Sequence, residues 1–151
     1  MKKLLLILTS AMLLAASCSS DDNDNVTFDD VKGYLTNVES VRHGLIGTWV
    51  DSSHYHADDD YATFEMTFDG RNWAGVAFYN GVEEDDDRES GTYSVTSRGD
   101  KFYITISGNN NETGEIKNRE LEILILNKTT LTLRFYDEEY DEEDIYTHTR
   151  K

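Results

Sequence analysis

Proline is missing from this chain altogether, and cysteine occurs once, at Cys18. Without proline, every residue keeps a backbone N–H to donate, so nothing interrupts long strand ladders from within. A single cysteine excludes an internal disulfide, and with it the stapled scaffolds on which many small exported domains rely. Positive charge is scarce: 14 Lys and Arg stand against 30 Asp and Glu, a net charge of −16. A field of that sign repels phosphate backbones and anionic headgroups, which argues against nucleic acid and against docking on an acidic bilayer. No repeat of the solenoid or propeller kind is visible. Catalytic signatures are missing too: there is no Gly-x-Ser-x-Gly elbow, no P-loop and no His-Glu-x-x-His. Carboxylates are so numerous that no pair stands out as acid and base. We therefore expect a chain that is not an enzyme.

What is present begins at the N-terminus. Met1-Lys2-Lys3 precedes an apolar run from Leu4 to Ala16, broken only by Thr9 and Ser10. A positive start, a short apolar stretch and small residues before a cut site make a secretory signal. The run is shorter than the about 20 residues needed to span a bilayer core. Ala15-Ala16-Ser17-Cys18 resembles the lipobox, at which a lipoprotein is cut before a cysteine that is then acylated; Leu14 stands one place further from Cys18 than in most lipoboxes. The resemblance implies a signal peptide over residues 1–17 and a membrane anchor on Cys18, which would also give the lone thiol a use. Several acyl chains, at about 0.8 kcal/mol per buried CH₂, suffice for stable anchoring. Loss of Lys2 and Lys3 with the signal leaves the mature chain at −18.

Residues 18–30 read as an acidic tether: Ser19-Ser20-Asp21-Asp22-Asn23-Asp24-Asn25 cannot bury a core. About 12 such residues would span roughly 20 Å if flexible. The run Cys-Ser-Ser-Asp-Asp resembles the acidic surface-export signal of Bacteroidetes lipoproteins, which implies the outer membrane and its outward face.

Residues 31–46 form a short helix and lead-in. Val31, Leu35, Val38, Val41 and Leu45 recur at helical spacing, with Asp30 placed to cap the start and Gly44 the end, although Gly33 weakens the pattern. From Gly47 the period changes to two. Ala62, Phe64, Met66 and Phe68 alternate with polar residues, Asp69-Gly70 makes a tight hairpin, and Trp73 to Tyr79 follows, with Gly75 as a bulge or bend. Gly91 to Val95, a turn at Arg98-Gly99-Asp100, and Phe102, Ile104 and Ile106 come next. Leu121, Ile123 and Ile125 lead through Asn127-Lys128 to Leu131, Leu133 and Phe135, and Ile145 to Arg150 ends the chain. The spacing predicts an all-β, up-and-down antiparallel meander of about eight strands, each about six to eight residues long. That number is enough to close into a barrel over residues 47–151. Trp49, Phe64, Met66, Phe68, Tyr93, Phe102, Leu121, Ile123, Leu133 and Phe135 are the inward candidates. Such bulk would fill a small barrel, which favours a shallow rim site or a protein partner over a deep cavity.

Gly47-Thr48-Trp49 resembles the Gly-x-Trp signature of lipocalins, and Arg150 is similar to the basic residue that packs over that tryptophan. The order of Phe68-Asp69-Gly70, then Gly91, Tyr93 and Val95, a Leu-x-Leu strand, and Tyr146 with Arg150 resembles the small lipocalin-like domains of Bacteroidetes lipoproteins. The resemblance implies a barrel closed at one end by Trp49, Arg150 and the helix, and open to ligand at the other. His148 stands where that register wants an apolar side chain.

In a meander, alternate connections share an end. The tight ones fall together, and the long ones carry 17 of the 30 acidic residues: Asp58 to Asp60, Glu83 to Asp87 with Glu89, Glu112 in the run Asn109-Asn110-Asn111-Glu112, and Asp137 to Glu139 with Asp141 to Asp144, against Arg88 as the only base. The rim is open to several readings. Asp58, Asp85, Asp87, Asp137, Glu139 and Asp141 are the candidate ligands for calcium, which takes six to eight oxygens, though no loop matches the EF-hand pattern. The rim would equally draw in a cationic ligand such as a basic peptide or amine. Charged loops also simply keep a protein soluble. His54 and His56 share one face of a strand and with Asp58 suit a transition metal, but no third firm ligand is identifiable. Arg98-Gly99-Asp100 is turn chemistry. A non-catalytic binding or accessory module is the expected function. A calcium-binding surface protein and a structural subunit of a surface lipoprotein complex are the alternatives.

Overall fold

The computed structural model describes residues 25–51, 62–83, 88–110, 114, 116–137 and 141–151, with only the backbone described at Asn110, Lys117 and Asp137. The lipobox with Cys18 lies outside the described residues, as do His54, His56 and the acidic stretches 58–60 and 84–87.

One helix, α1 (Val38–Leu45), precedes nine strands: β1 (Gly47–Asp51), β2 (Ala62–Phe68), β3 (Asn72–Tyr79), β4 (Val82–Glu83), β5 (Glu89–Arg98), β6 (Lys101–Asn110), β7 (Ile116–Leu126), β8 (Thr130–Asp137) and β9 (Glu142–Arg150). All pairings are antiparallel. β9 returns to β1 through Trp49↔Arg150 and Val50↔Thr149, so eight strands form a closed barrel with no free edge. The two-residue β4 stands outside the wall count, folding back on the end of β3 through Phe78↔Glu83 and Tyr79↔Val82. Two of the tight turns that join the strands are built by their own side chains. Asp69 Oδ1 accepts the Asn72 N–H at 2.8 Å, and Asn127 Oδ1 accepts those of Thr129 and Thr130 at 2.9 and 2.8 Å. The core fills the barrel from the helix end upward, with Val41, Leu45, Trp49, Phe68, Ile104, Leu126, Leu131 and Leu133 at most 2% exposed.

Several expectations need correction. The helix starts at Val38, capped by Asn37, whose Oδ1 accepts the Ser40 N–H at 2.8 Å. Asp29 instead closes a turn, accepting the Val31 and Lys32 N–H groups at 2.8 and 2.7 Å. Gly33, at φ +63°, swings the chain across the Leu126 carbonyl, which leaves Val31 94% exposed. Gly44 does not end the helix; it sits inside it, buried against the Tyr34 ring.

In β7, the inward alternation breaks at a bulge between Ile123 and Ile125. The extra residue flips the register, so Ile125 is exposed and Leu126 takes the core position. The strands β5, β6 and β7 also run to 10 or 11 residues. Asn109 and Glu89, read from composition as loop, are ladder residues here, because their neighbours supply complete backbone pairing whatever the side chains prefer. The same holds for Glu142, Glu143 and Asp144, which belong to β9.

Candidate functional site

Trp49 on β1 is fully buried, and its Nε1–H donates to the Leu45 carbonyl at 2.8 Å. Arg150 on β9 lies over the indole, its guanidinium carbon 4.2 Å from the ring centroid. That guanidinium donates to the carbonyls of Gly44 at 2.5 Å, Ile46 at 2.6 Å and Lys128 at 2.9 Å. Two of those carbonyls end the helix and lead into β1, where cationic donors are favoured. One side chain thus ties α1, the lead-in to β1 and the β7–β8 turn together, and this end of the barrel is plugged.

Among the described residues, nothing comparable closes the other end. A cavity of about 350 Å³ occupies the upper interior, within the size range of small-ligand sites. Its apolar wall comes from Phe64 and Met66 on β2, Trp73 on β3, Ile106 on β6, Leu121 on β7, and Leu133 and Phe135 on β8. Its polar wall comes from Asp51 on β1, Arg119 on β7, and Tyr146 and His148 on β9. The bulky residues expected inside are inside, yet they do not fill the lumen. Glycines explain the difference. Gly75 and Gly108 flank the Trp73 ring, where a Cβ would meet it at 2.9 and 2.6 Å. Gly91 and Gly108 are paired beside it in the wall. The indole therefore lies along the wall, its Nε1–H pointing to the Ser107 carbonyl at 3.4 Å, instead of crossing the barrel.

The polar groups differ in how they are satisfied. Arg119 is held by Glu89, with Nη1 and Nη2 donating to the two carboxylate oxygens at 2.8 and 3.0 Å. This bidentate pair reaches across β6 from the strands on either side. The Tyr146 hydroxyl donates to Asp144 at 3.2 Å, and burial together with that carboxylate pushes its pKa up. Asp51 is 8% and His148 3% exposed, so His148 does face the interior, at the position where an apolar residue was expected. Its Nδ1 has no hydrogen-bond partner among the described residues. Burial holds the imidazole below its ordinary pKa, opposed in part by the Asp51 charge and by hydrogen bonding to the Leu131 backbone.

A buried imidazole nitrogen without a hydrogen bond carries a desolvation cost of about 1–3 kcal/mol. His148→Leu is therefore expected to stabilise the barrel by about 1–2 kcal/mol at pH 7.5 in urea unfolding. The advantage has a predictable pH dependence. The unfolded imidazole takes up a proton near pH 6.5 while the buried one stays neutral, so unfolding binds protons and native stability is lost as pH falls below about 6.5. The gap between His148→Leu and the native chain should widen from pH 7.5 to 5.5. A gap that narrows would mean the imidazole is charged in the fold.

The calcium candidates fare differently. Asp58, Asp85, Asp87 and Glu139 lie outside the described residues, and Asp137 is described only by its backbone at the end of β8. Asp141 accepts a hydrogen bond from the Tyr136 hydroxyl. Among the described residues, no three His, Cys, Asp or Glu side chains converge as metal ligands. Glu83 and Glu143 are engaged by Arg88 and Arg134.

Asp51 and Arg119 were not singled out in the sequence, and Glu89 stood there only as one of the acidic loop residues. Asp51 shares the parity of Trp49, two residues on, so strict alternation already points it inward. Arg119 sits in Ile116-Lys117-Asn118-Arg119-Glu120, where no apolar alternation marks a face.

No family model, no curated protein and no solved structure matches the chain.

Proposed function

We propose that this protein is a lipid-anchored, non-catalytic, lipocalin-like binding module of the outer membrane's outward face, taking one small, largely apolar ligand into the barrel. The observation that carries the binding reading is the asymmetry of the barrel. One end is plugged by Trp49, Arg150 and α1, while about 350 Å³ stays empty at the other behind a mostly hydrocarbon and aromatic lining. A close-packed interior without that purpose would leave few voids larger than a water molecule. The Gly47-Thr48-Trp49 motif and the Arg150 stack support the lipocalin-like assignment, and the lipobox-like Ala15-Ala16-Ser17-Cys18 supports the anchor.

The docked N-terminus supports an orientation. Asn25 accepts a hydrogen bond from Asn37 Nδ2 at 2.9 Å, and the Thr27 N–H donates to Ser40 Oγ at 2.7 Å, beside the plugged end. A lipid on Cys18 has at most about 25 Å of extended chain before Asn25. The plugged end would then sit nearest the bilayer, with the mouth turned to the aqueous side.

A neutral fluorescent hydrocarbon probe, N-phenyl-1-naphthylamine, tests the binding reading. Saturable one-to-one uptake by the native chain is expected, with a loss of about tenfold or more in affinity on filling the cavity with Leu133→Phe, near-UV circular dichroism confirming the fold. Uptake that does not saturate, or that ignores the filled cavity, would refute it.

A further inference from the structure

The plugged end of the barrel carries apolar side chains that the fold itself does not bury. Asp29 and Gly33 exchange both backbone hydrogen bonds at 2.8 Å, and the Asp29 carboxylate accepts the Val31 and Lys32 N–H groups. This closed turn holds Val31 out in water, 94% exposed. At the same end Phe28, Ile46 and Ile125 are 42–46% exposed. Val31 and Ile125 border one surface hollow of about 350 Å³. Arg150 bonds the carbonyls of Ile46 and Lys128, and Lys128 Nζ stands 4.9 Å from the centre of the Phe28 ring. A single exposed apolar residue is ordinary, but four at one end, one of them on a hydrogen-bonded turn, mark a surface that meets a partner.

Charge tells the two ends apart. Val82 and Ile145, exposed toward the mouth, are followed and preceded in the chain by Glu83 and Asp144. At the plugged end the apolar groups keep company with Lys32 and Lys128, while Arg42, Arg98, Lys101 and Lys151 neutralise Glu39, Glu120, Glu122 and Glu65. The long acidic connections leave the strands at the opposite end. A tilted strand of 10 residues, such as β5, puts roughly 25 Å between the ends, against a screening length of about 8–10 Å. The net charge that opposes an acidic bilayer for the chain as a whole therefore does not govern this end.

We propose that the plugged end is a membrane-docking face. The bilayer holding the lipid on Cys18 also receives Val31 and Phe28, with Lys32 and Lys128 at the level of its headgroups. This rests on the anchored reading above. The tether argues for a bilayer over another protein: the chain docks at Asn25 beside this end, and at most about 25 Å separate it from Cys18. Lysine stems lie along hydrocarbon while their ammonium groups stay among phosphates, which suits the pairing of Lys32 with Val31 and of Lys128 with Phe28. A lipid alone would let the barrel swivel; a second contact fixes the direction of its mouth.

Cys18 is the only cysteine, so coupling to it is unambiguous. The mature chain from Cys18 onward is joined through that thiol to a maleimide lipid in mixed phosphatidylcholine and phosphatidylglycerol vesicles. Val31→Trp and Val82→Trp place an indole at the plugged end and toward the mouth; both positions are exposed, and the native Trp49 and Trp73 are buried. Brominated acyl chains quench an indole that reaches hydrocarbon. Val31→Trp is expected to be quenched with a blue-shifted emission, and Val82→Trp no more than the native chain. Adding Lys32→Glu and Lys128→Glu to Val31→Trp is expected to remove most of the quenching. Absence of quenching in Val31→Trp, or equal quenching in both variants, would overturn the docking face. The coupling is chemical, so that outcome is independent of acylation in cells, which the mass of the chain purified from cell membranes reports. An unacylated mature chain would sink the anchored reading and remove the bilayer as the occupant of this face.

Discussion

Trp49→Ala is expected to lower stability by about 3–5 kcal/mol, the usual cost of emptying a fully buried tryptophan site. Three losses coincide there. The ring is 0% exposed, its Nε1–H satisfies the Leu45 carbonyl at 2.8 Å, and it is the surface on which the Arg150 guanidinium rests at 4.2 Å. A domain of this size holds about 5–15 kcal/mol in total. At about 4–8 °C per kcal/mol, the thermal midpoint should fall by roughly 12–40 °C. Part of the loss would come from α1 leaving the end of the barrel, so tryptic cleavage at Arg42 should accelerate in native conditions. A fall of less than about 1 kcal/mol would mean that the helix and the turns plug the end without the tryptophan.

Gly91→Ala is expected to cost about 3 kcal/mol, at the upper end for overpacking, although it adds only one methyl group. Gly91 sits in β5 between Trp73 on β3 and Gly108 on β6. A Cβ there would overlap the Ser107 carbonyl oxygen, lie 2.8 Å from the carbon of that carbonyl and 3.0 Å from the Gly108 Cα. The obstruction is backbone on a paired strand, so no side chain can swing aside to relieve it. The strand has to move, and with it the wall that seats Trp73. Urea unfolding measures the loss directly. The exposed neighbour Thr92→Ala should stay within about 0.5 kcal/mol. If Gly91→Ala is equally mild, the close approach of β5 and β6 is not a requirement of the fold.

Most of the barrel could be read from alternation. In β2 and β6, Phe64, Met66, Phe68, Phe102, Ile104 and Ile106 announce an inward face, because a strand of period two buries every second residue. Turn residues such as Asp69-Gly70 and Asn127-Lys128 mark where the ladder reverses. The site was less legible, since its polar members break the apolar pattern that reveals a core. Glu89 and Arg119 resemble loop residues until the ladder brings β5 and β7 to either side of β6 and lets them pair. His148 looked like a flaw in the register of β9. The register is sound, and the imidazole is the feature that distinguishes the cavity wall.

The sequence by itself determined the all-β class, the count of eight wall strands, and the separation of tight turns from long acidic connections. These follow from local rules of side-chain period and turn chemistry. Tertiary structure decided where the helix begins, the flipped register after Ile123, and the empty space in a barrel whose inward residues seemed bulky enough to fill it. The physical reason is that volume is a property of facing walls. Only when Gly75, Gly91 and Gly108, distant in sequence, come together around Trp73 does its indole lie flat and leave room beside it.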